Sequence, residues 1–222
     1  MIFTELDNDR LLDQAMVRVR RLREVRETMG LNETATAQVE HCLTTAQAAM
    51  AKMWQPEACY SQTEIRPIDG GVMIGEELAI REERVAKRYT EDSLLFVYNH
   101  SLGYDSRLMM DELEGDYALY HFHYYIGKAL LLLIGREFYG QAKAQFPHLR
   151  LFRFPIPLPV ESAQQPQVLR KHYWDPEKIA QILPLLKGSR TDLGVTEAGC
   201  ISPLFTIIGV MLGTPLMQHR DF

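Results

Sequence analysis

Cysteine is scarce in this chain: Cys42, Cys59 and Cys200 are the only three in 222 residues, and no two form a CxxC pair. Such an odd, widely spaced set supports no disulfide framework and suits a reducing compartment. An excess of one charge is also missing. Lys and Arg number 24 against 29 Asp and Glu, a formal net charge of −5 with no long block of either sign. A mildly acidic chain lacks the general attraction for phosphate backbones that nucleic-acid binders use, so no nucleic-acid partner is expected. Long apolar runs are absent as well. The longest, Ala129–Ile134, is far too short to span a bilayer. The opening MIFTELDNDR carries acids where a secretory signal needs a basic start and an apolar run. The expectation is a cytoplasmic protein with no membrane partner.

What is present describes an ordinary globular chain: 46% hydrophobic and 24% charged residues. A chain of this size buries enough apolar surface to fold without a disulfide or metal. It reads as one domain over residues 1–222 with an N-terminal helical segment over about 7–53. In that segment Leu11, Leu12, Met16 and Val19 recur at helical spacing, Gly30 ends a first helix, and Asn32 caps a second that runs to Met53. Tyr60–Ile68 and Val72–Ile74 read as strands around a Gly70-Gly71 turn, and Glu76–Tyr89 as a charged amphipathic helix.

The strongest strand signal is Ser93–His100, SLLFVYNH, a short run with aromatic and β-branched members. A helix is predicted over Tyr104–Leu113. Gly115-Asp116 interrupts it, and a long helix follows over about Tyr117–Gln145, with a centre, ALLLLI, that is apolar all round. Leu149–Phe154 is a further strand. Residues 155–176 hold Pro155, Pro157, Pro159, Pro166 and Pro176, which rules out a central strand and predicts an extended surface segment. Asp175 and Pro176 open a helix toward Leu186, which Pro184 cuts short, and Val195–Glu197 and Phe205–Met211 are short strand candidates. Helices and strands alternate without βαβ periodicity, so the class is α+β.

Four segments, in order, resemble the activation (reactivation) domain family of cobalamin-dependent methionine synthase, over residues about 90–213. LFVYNHSLG (Leu95–Gly103) is similar to that family's strand and Thr/Ser-x-Gly turn. Gly115-Asp116 stands before a long helix with the step Ile126-Gly127. Arg153 ends a strand where the family has an arginine before its Pro-Gly-Tyr loop. GVTEAGCISPLFTIIG (Gly194–Gly209) resembles the Thr-Glu, Pro and Ser-x-x-Gly signature, with Thr196-Glu197 and Pro203 in place and Thr206 for the serine.

The resemblance implies an α+β fold, a twisted antiparallel sheet flanked by helices. It also implies a protein that presents S-adenosylmethionine to a corrinoid on a partner protein or domain, so that a one-electron-reduced cobalt can take the methyl group. Positioning two cofactors is then the main task, with little acid–base machinery. The ligand-site residues it implies are Arg153 and Pro155, with Thr196, Glu197 and Cys200 from the later segment. The chain carries no Asp-x-His-x-x-Gly corrinoid-ligand motif, so cobalamin would arrive on the partner or bind without a histidine from that motif.

Departures from the pattern keep a second reading in view. After Arg153 come Phe154, Pro155, Ile156, Pro157 and Leu158 instead of Pro-Gly-Tyr, and the long helix has Leu130–Leu133 where the family places a glutamate. The alternative is a non-catalytic module that binds cobalamin, a related ligand or a partner and has lost S-adenosylmethionine.

Other constellations read as structural. His121 and His123 on a helix point about 200° apart and have no third ligand at useful spacing, so no metal site is expected. His41-Cys42 on a helix carries no more. The cluster Asp111, Glu112, Glu114, Asp116 lacks EF-hand spacing and reads as a solvated helix end. Tyr173-Trp174 is an aromatic pair fit either to cover a cofactor or to pack its loop on the core.

Overall fold

The computed structural model describes residues 1–75, 78–81, 83–104, 106–155, 180–195, 201–203 and 205–216. In chain order they form β1 (Ile2–Phe3), α1 (Asn8–Arg20), α2 (Arg23–Met29), α3 (Glu33–Met53), β2 (Glu57–Thr63), β3 (Ile65–Ile68), β4 (Gly71–Ile74) and β5 (Leu78–Ile80). There follow α4 (Glu83–Ala86), β6 (Leu94–Ser101), α5 (Ser106–Glu112), α6 (Tyr117–Gln145) and β7 (Leu149–Pro155). A 3-10 turn (Leu183–Leu186) precedes β8 (Gly194–Val195), β9 (Ile201–Ser202) and β10 (Thr206–Pro215).

A five-stranded sheet in the order β1-β2-β6-β10-β7 is the centre, and each of its pairings is antiparallel. Side chains alternate across it, as strand geometry requires. Tyr60, Phe96, Tyr98, Leu149, Leu151 and Met211 face one side and join the core formed with the long helices. Leu95, Val97, Phe154, Ile208, Val210 and Leu212 face the other, under β3-β4-β5 and the 3-10 turn. Helices α1 and α3 pack on α6, so α6 lies between the N-terminal helices and the sheet. The small buried residues Ala46 and Ala49 give α3 a close approach.

Caps act where expected. Asn32 accepts from the Ala35 amide at 2.8 Å, and Asp116 accepts from the amides of Ala118 and Leu119 at 2.8 and 3.1 Å. The long helix begins and ends as the sequence predicts.

Several expectations need correction. The N-terminal segment has three helices, not two. The buried stripe of α1 ends at Val19, the chain extends at Leu22 (ψ 142°), and α2 turns Val25 inward before Gly30 ends it. Tyr60–Ile68 is two strands broken at Glu64. Glu76–Tyr89 is not one helix: Leu78 and Ile80 are buried with Ala79 between them, and β5 pairs back on β4 across Gly75 (φ 56°). Only a four-residue helix remains of the charged stretch. The ALLLLI centre is not apolar to apolar contact all round, since Leu132 is 60% exposed. Phe205–Met211 becomes the long central strand β10. Of the proline-rich segment only Pro155 is described, at the end of β7. Within 180–186 a helical turn passes into the 3-10 turn around Pro184.

Glu57 fastens the segment after the 3-10 turn to the sheet. Its buried carboxylate accepts from the Arg190 amide at 2.6 Å, from Asn99 Nδ2 at 3.0 Å and from the Ser189 hydroxyl. Burial raises its pKa, but the bonds from Ser189, Asn99, Arg190 and Thr191 outweigh this and hold it below the usual value. Its contribution to stability is therefore present above the ordinary carboxylate range and lost as pH falls through the lowered native value. Glu57→Gln should cost about 1–3 kcal/mol at neutral pH. Urea unfolding across the acid range should show a shallower loss for the variant than for the wild type; equal slopes would remove this role.

Candidate functional site

Strand β6 sends Tyr98 and His100 to the α6 side of the sheet at consecutive inward positions. His100 is buried, stacks parallel to Tyr98 with centroids 6.0 Å apart, and lies 6.2 Å from the Phe138 ring of α6. The imidazole fits because α6 has no side chain at Gly135. A Cβ there would stand 3.1 Å from His100 Nε2, tighter than ordinary contact. Gly127, of the Ile126-Gly127 step, does the same further along: a Cβ would come within 2.7 Å of the Phe205 ring. Both close approaches set the distance between helix and sheet.

Arg153 on β7 closes the site. Its Nη1 donates to the Gly135 carbonyl at 2.9 Å, and its guanidinium carbon lies 4.5 Å from the Tyr139 ring centroid. Tyr139 Oη in turn donates to the Leu151 carbonyl on β7 at 2.8 Å. Thus α6 and β7 are joined by two side-chain-to-backbone bonds running in opposite directions. Arg153 keeps an exposed side. It lines an open cleft of about 620 Å³, whose floor includes Leu131, Leu151 and Ile207 and whose rim carries Arg84, Arg88 and Arg136.

Described parts of three of the resembling segments lie side by side in the sheet. Ser101 at the end of LFVYNHS is opposite Thr206 in register, and their hydroxyls share a hydrogen bond of 2.7 Å. Arg153 is opposite Met211 on β10, and Pro155 ends β7 opposite Gly209. Thr196, Glu197 and Cys200 lie outside the described residues, as do Tyr173 and Trp174. Sequence reasoning did not single out His100, Gly135, Tyr139 or the three rim arginines. Arg84 and Arg88 were legible only as an i, i+4 pair in a charged stretch.

The other candidates are placed as structural. His123 is buried, its Nε2 sharing a 2.5 Å hydrogen bond with Tyr104, whereas His121 is exposed and meets Tyr125 edge-on. Cys59 is buried and its thiol is pushed up to about 12, first by burial and then by Glu57, which makes it inert. Among the described residues no three His, Cys, Asp or Glu side chains converge, and no helix is long and apolar enough to cross a membrane. A second open cleft, about 550 Å³, is lined by aromatic residues at the start of α6, Tyr117 to Tyr124.

No protein-family model and no curated protein matches the chain. Among solved structures it is similar to the MetH reactivation domain bound to AdoHcy, with a TM-score of 0.51 and 12% identity, covering 95% of this chain and 77% of that one. At that identity the likeness is one of fold: a mixed α+β architecture with antiparallel sheets flanked by helices. It reaches well beyond residues 90–213 and takes in nearly the whole chain.

Burial, and secondarily the charge of Arg153, lowers the His100 pKa from 6.5 to about 3. The imidazole is neutral in the fold while the unfolded chain takes up a proton, so its share of stability is complete above 6.5 and is lost as pH falls toward 3. In urea unfolding, His100→Phe should flatten the rise of stability with pH across this window. An unchanged slope would contradict a buried neutral His100.

Proposed function

We propose that this chain is an activation-domain-like protein. It works in the cytoplasm, docks on a corrinoid-binding protein or domain, and assists S-adenosylmethionine-dependent reductive methylation of the corrinoid held there. The observation that carries the reading is the position of Arg153. The arginine that the sequence resemblance singles out lines a cleft between α6 and the sheet edge, on a fold shared with a domain that binds AdoHcy. In this reading the chain acts as one domain and supplies geometry. Arg153 and Pro155, with Thr196, Glu197 and Cys200, form the donor site, and cobalamin comes with the partner. When bound, S-adenosylmethionine supplies the methyl group, and the electron comes from a reductant on the partner's side.

A specific observation favours the alternative, a non-catalytic module for cobalamin, a related ligand or a partner. The described lining of the cleft has arginines and no Asp or Glu, and a sulfonium ligand brings further positive charge to it.

Calorimetry separates the two. The first reading expects S-adenosylmethionine and AdoHcy to bind, and Arg153→Ala to weaken binding about ten- to hundredfold, the equivalent of one charge-assisted hydrogen bond. The second expects no heat from either at millimolar concentration, while the chain still retains a corrinoid or a corrinoid-carrying protein.

A further inference from the structure

On a chain with a formal net charge of −5, one cleft gathers positive charge. Arg84 comes from α4 and Arg88 from the turn after it, Arg136 from α6 and Arg153 from β7. They approach the last strand of the sheet from both of its faces. Phe152 and Phe154 point to the β3-β4-β5 side, and there the Arg88 guanidinium lies 4.9 Å from the Phe152 centroid and that of Arg84 5.8 Å from the Phe154 centroid. On the α6 side Arg153 is held over Tyr139. Nearby acids are engaged elsewhere: Glu83 pairs with Lys87 at 2.6 Å and Glu137 with Arg10 at 3.0 Å. Among the described residues Arg88, Arg136 and Arg153 have no carboxylate partner.

This arrangement has a chemical preference. A guanidinium held over a ring loses little further freedom on binding, and its planar donors suit the paired oxygens of a phosphate or carboxylate. A single negative charge cannot balance the several guanidiniums that line this open cleft. The apolar floor of Leu131, Leu151 and Ile207 offers no such balance and suits the body of an organic molecule. The volume, about 620 Å³, is that of a small-molecule site.

We propose that this cleft binds an organic phosphate that carries at least two negative charges on an aromatic or aliphatic body, a nucleoside diphosphate being the type. The proposal rests on the cleft being the chain's ligand site, as the functional reading above holds. The phosphates lie among Arg88, Arg136 and Arg153, and the organic body covers the floor.

The test is calorimetry of the full chain with ADP, pyrophosphate, adenosine and AdoHcy, on wild type and on Arg88→Gln and Arg136→Gln. Both arginines are exposed, and unchanged thermal melts would show that the variants fold. The expected result is binding of ADP, weaker binding of pyrophosphate and none of adenosine. Each variant should lose about tenfold or more in ADP affinity, and added salt should weaken ADP binding further. Equal ADP binding by wild type and both variants would overturn the proposal. So would ADP silent at millimolar concentration while AdoHcy binds, which would leave the cleft a ligand site of another kind. Silence from both ADP and AdoHcy would remove the proposal and the S-adenosylmethionine reading of the cleft together.

Discussion

The rest of the structure depends on how closely α6 approaches the sheet at Gly135. A helix backbone is normally kept away from a sheet by its own side chains. Here the missing side chain admits the His100 ring, and the Gly135 carbonyl accepts a hydrogen bond from the Arg153 guanidinium. Tyr139, one helical turn on, returns a bond to the β7 backbone and places its ring under the same arginine. Any larger residue at Gly135 would press on the imidazole and, beyond it, on the arginine. The geometry of the cleft is therefore set by the packing of the core.

The two sides of the sheet hold their charged groups differently. On β2, next to the β1 edge, Glu57 is enclosed by Asn99, Ser189 and Arg190, and its charge is satisfied within the fold. At the β7 edge Arg88 and Arg153 keep an exposed side and lie over rings, with no carboxylate partner among the described residues. The first is a structural fastening. The second leaves donors available to something from outside. The likeness to the MetH reactivation domain, at 12% identity, is one of fold alone.

Much of the fold was legible because its signals were local. Gly115-Asp116 marks the start of α6 through a cap, Asn32 marks α3 in the same way, and SLLFVYNH can be little other than a strand. The failures also have local causes. Leu78-Ala79-Ile80 sits among charged residues at a spacing that suits a helix as well as a strand, and only its pairing with β4 decides the matter. The site was half legible. Arg153 stood out through the family resemblance, which has an arginine at the end of this strand. His100, Gly135 and Tyr139 did not, because they are far apart in sequence and come together only through packing between the helix and the sheet. The arginine rim was hidden for the same reason, since its members lie on three separate elements.

The central claim is that ligand recognition takes place at Arg153, between Gly135 and Tyr139. The most direct measurement is a ¹H–¹⁵N correlation spectrum of the arginine side chains and the glycine amides, followed during titration with AdoHcy and with ADP. The account predicts that the Arg153 Nε–H and Gly135 amide signals move together and saturate with one of these ligands. Saturable shifts elsewhere, with both of these signals unmoved, would contradict it.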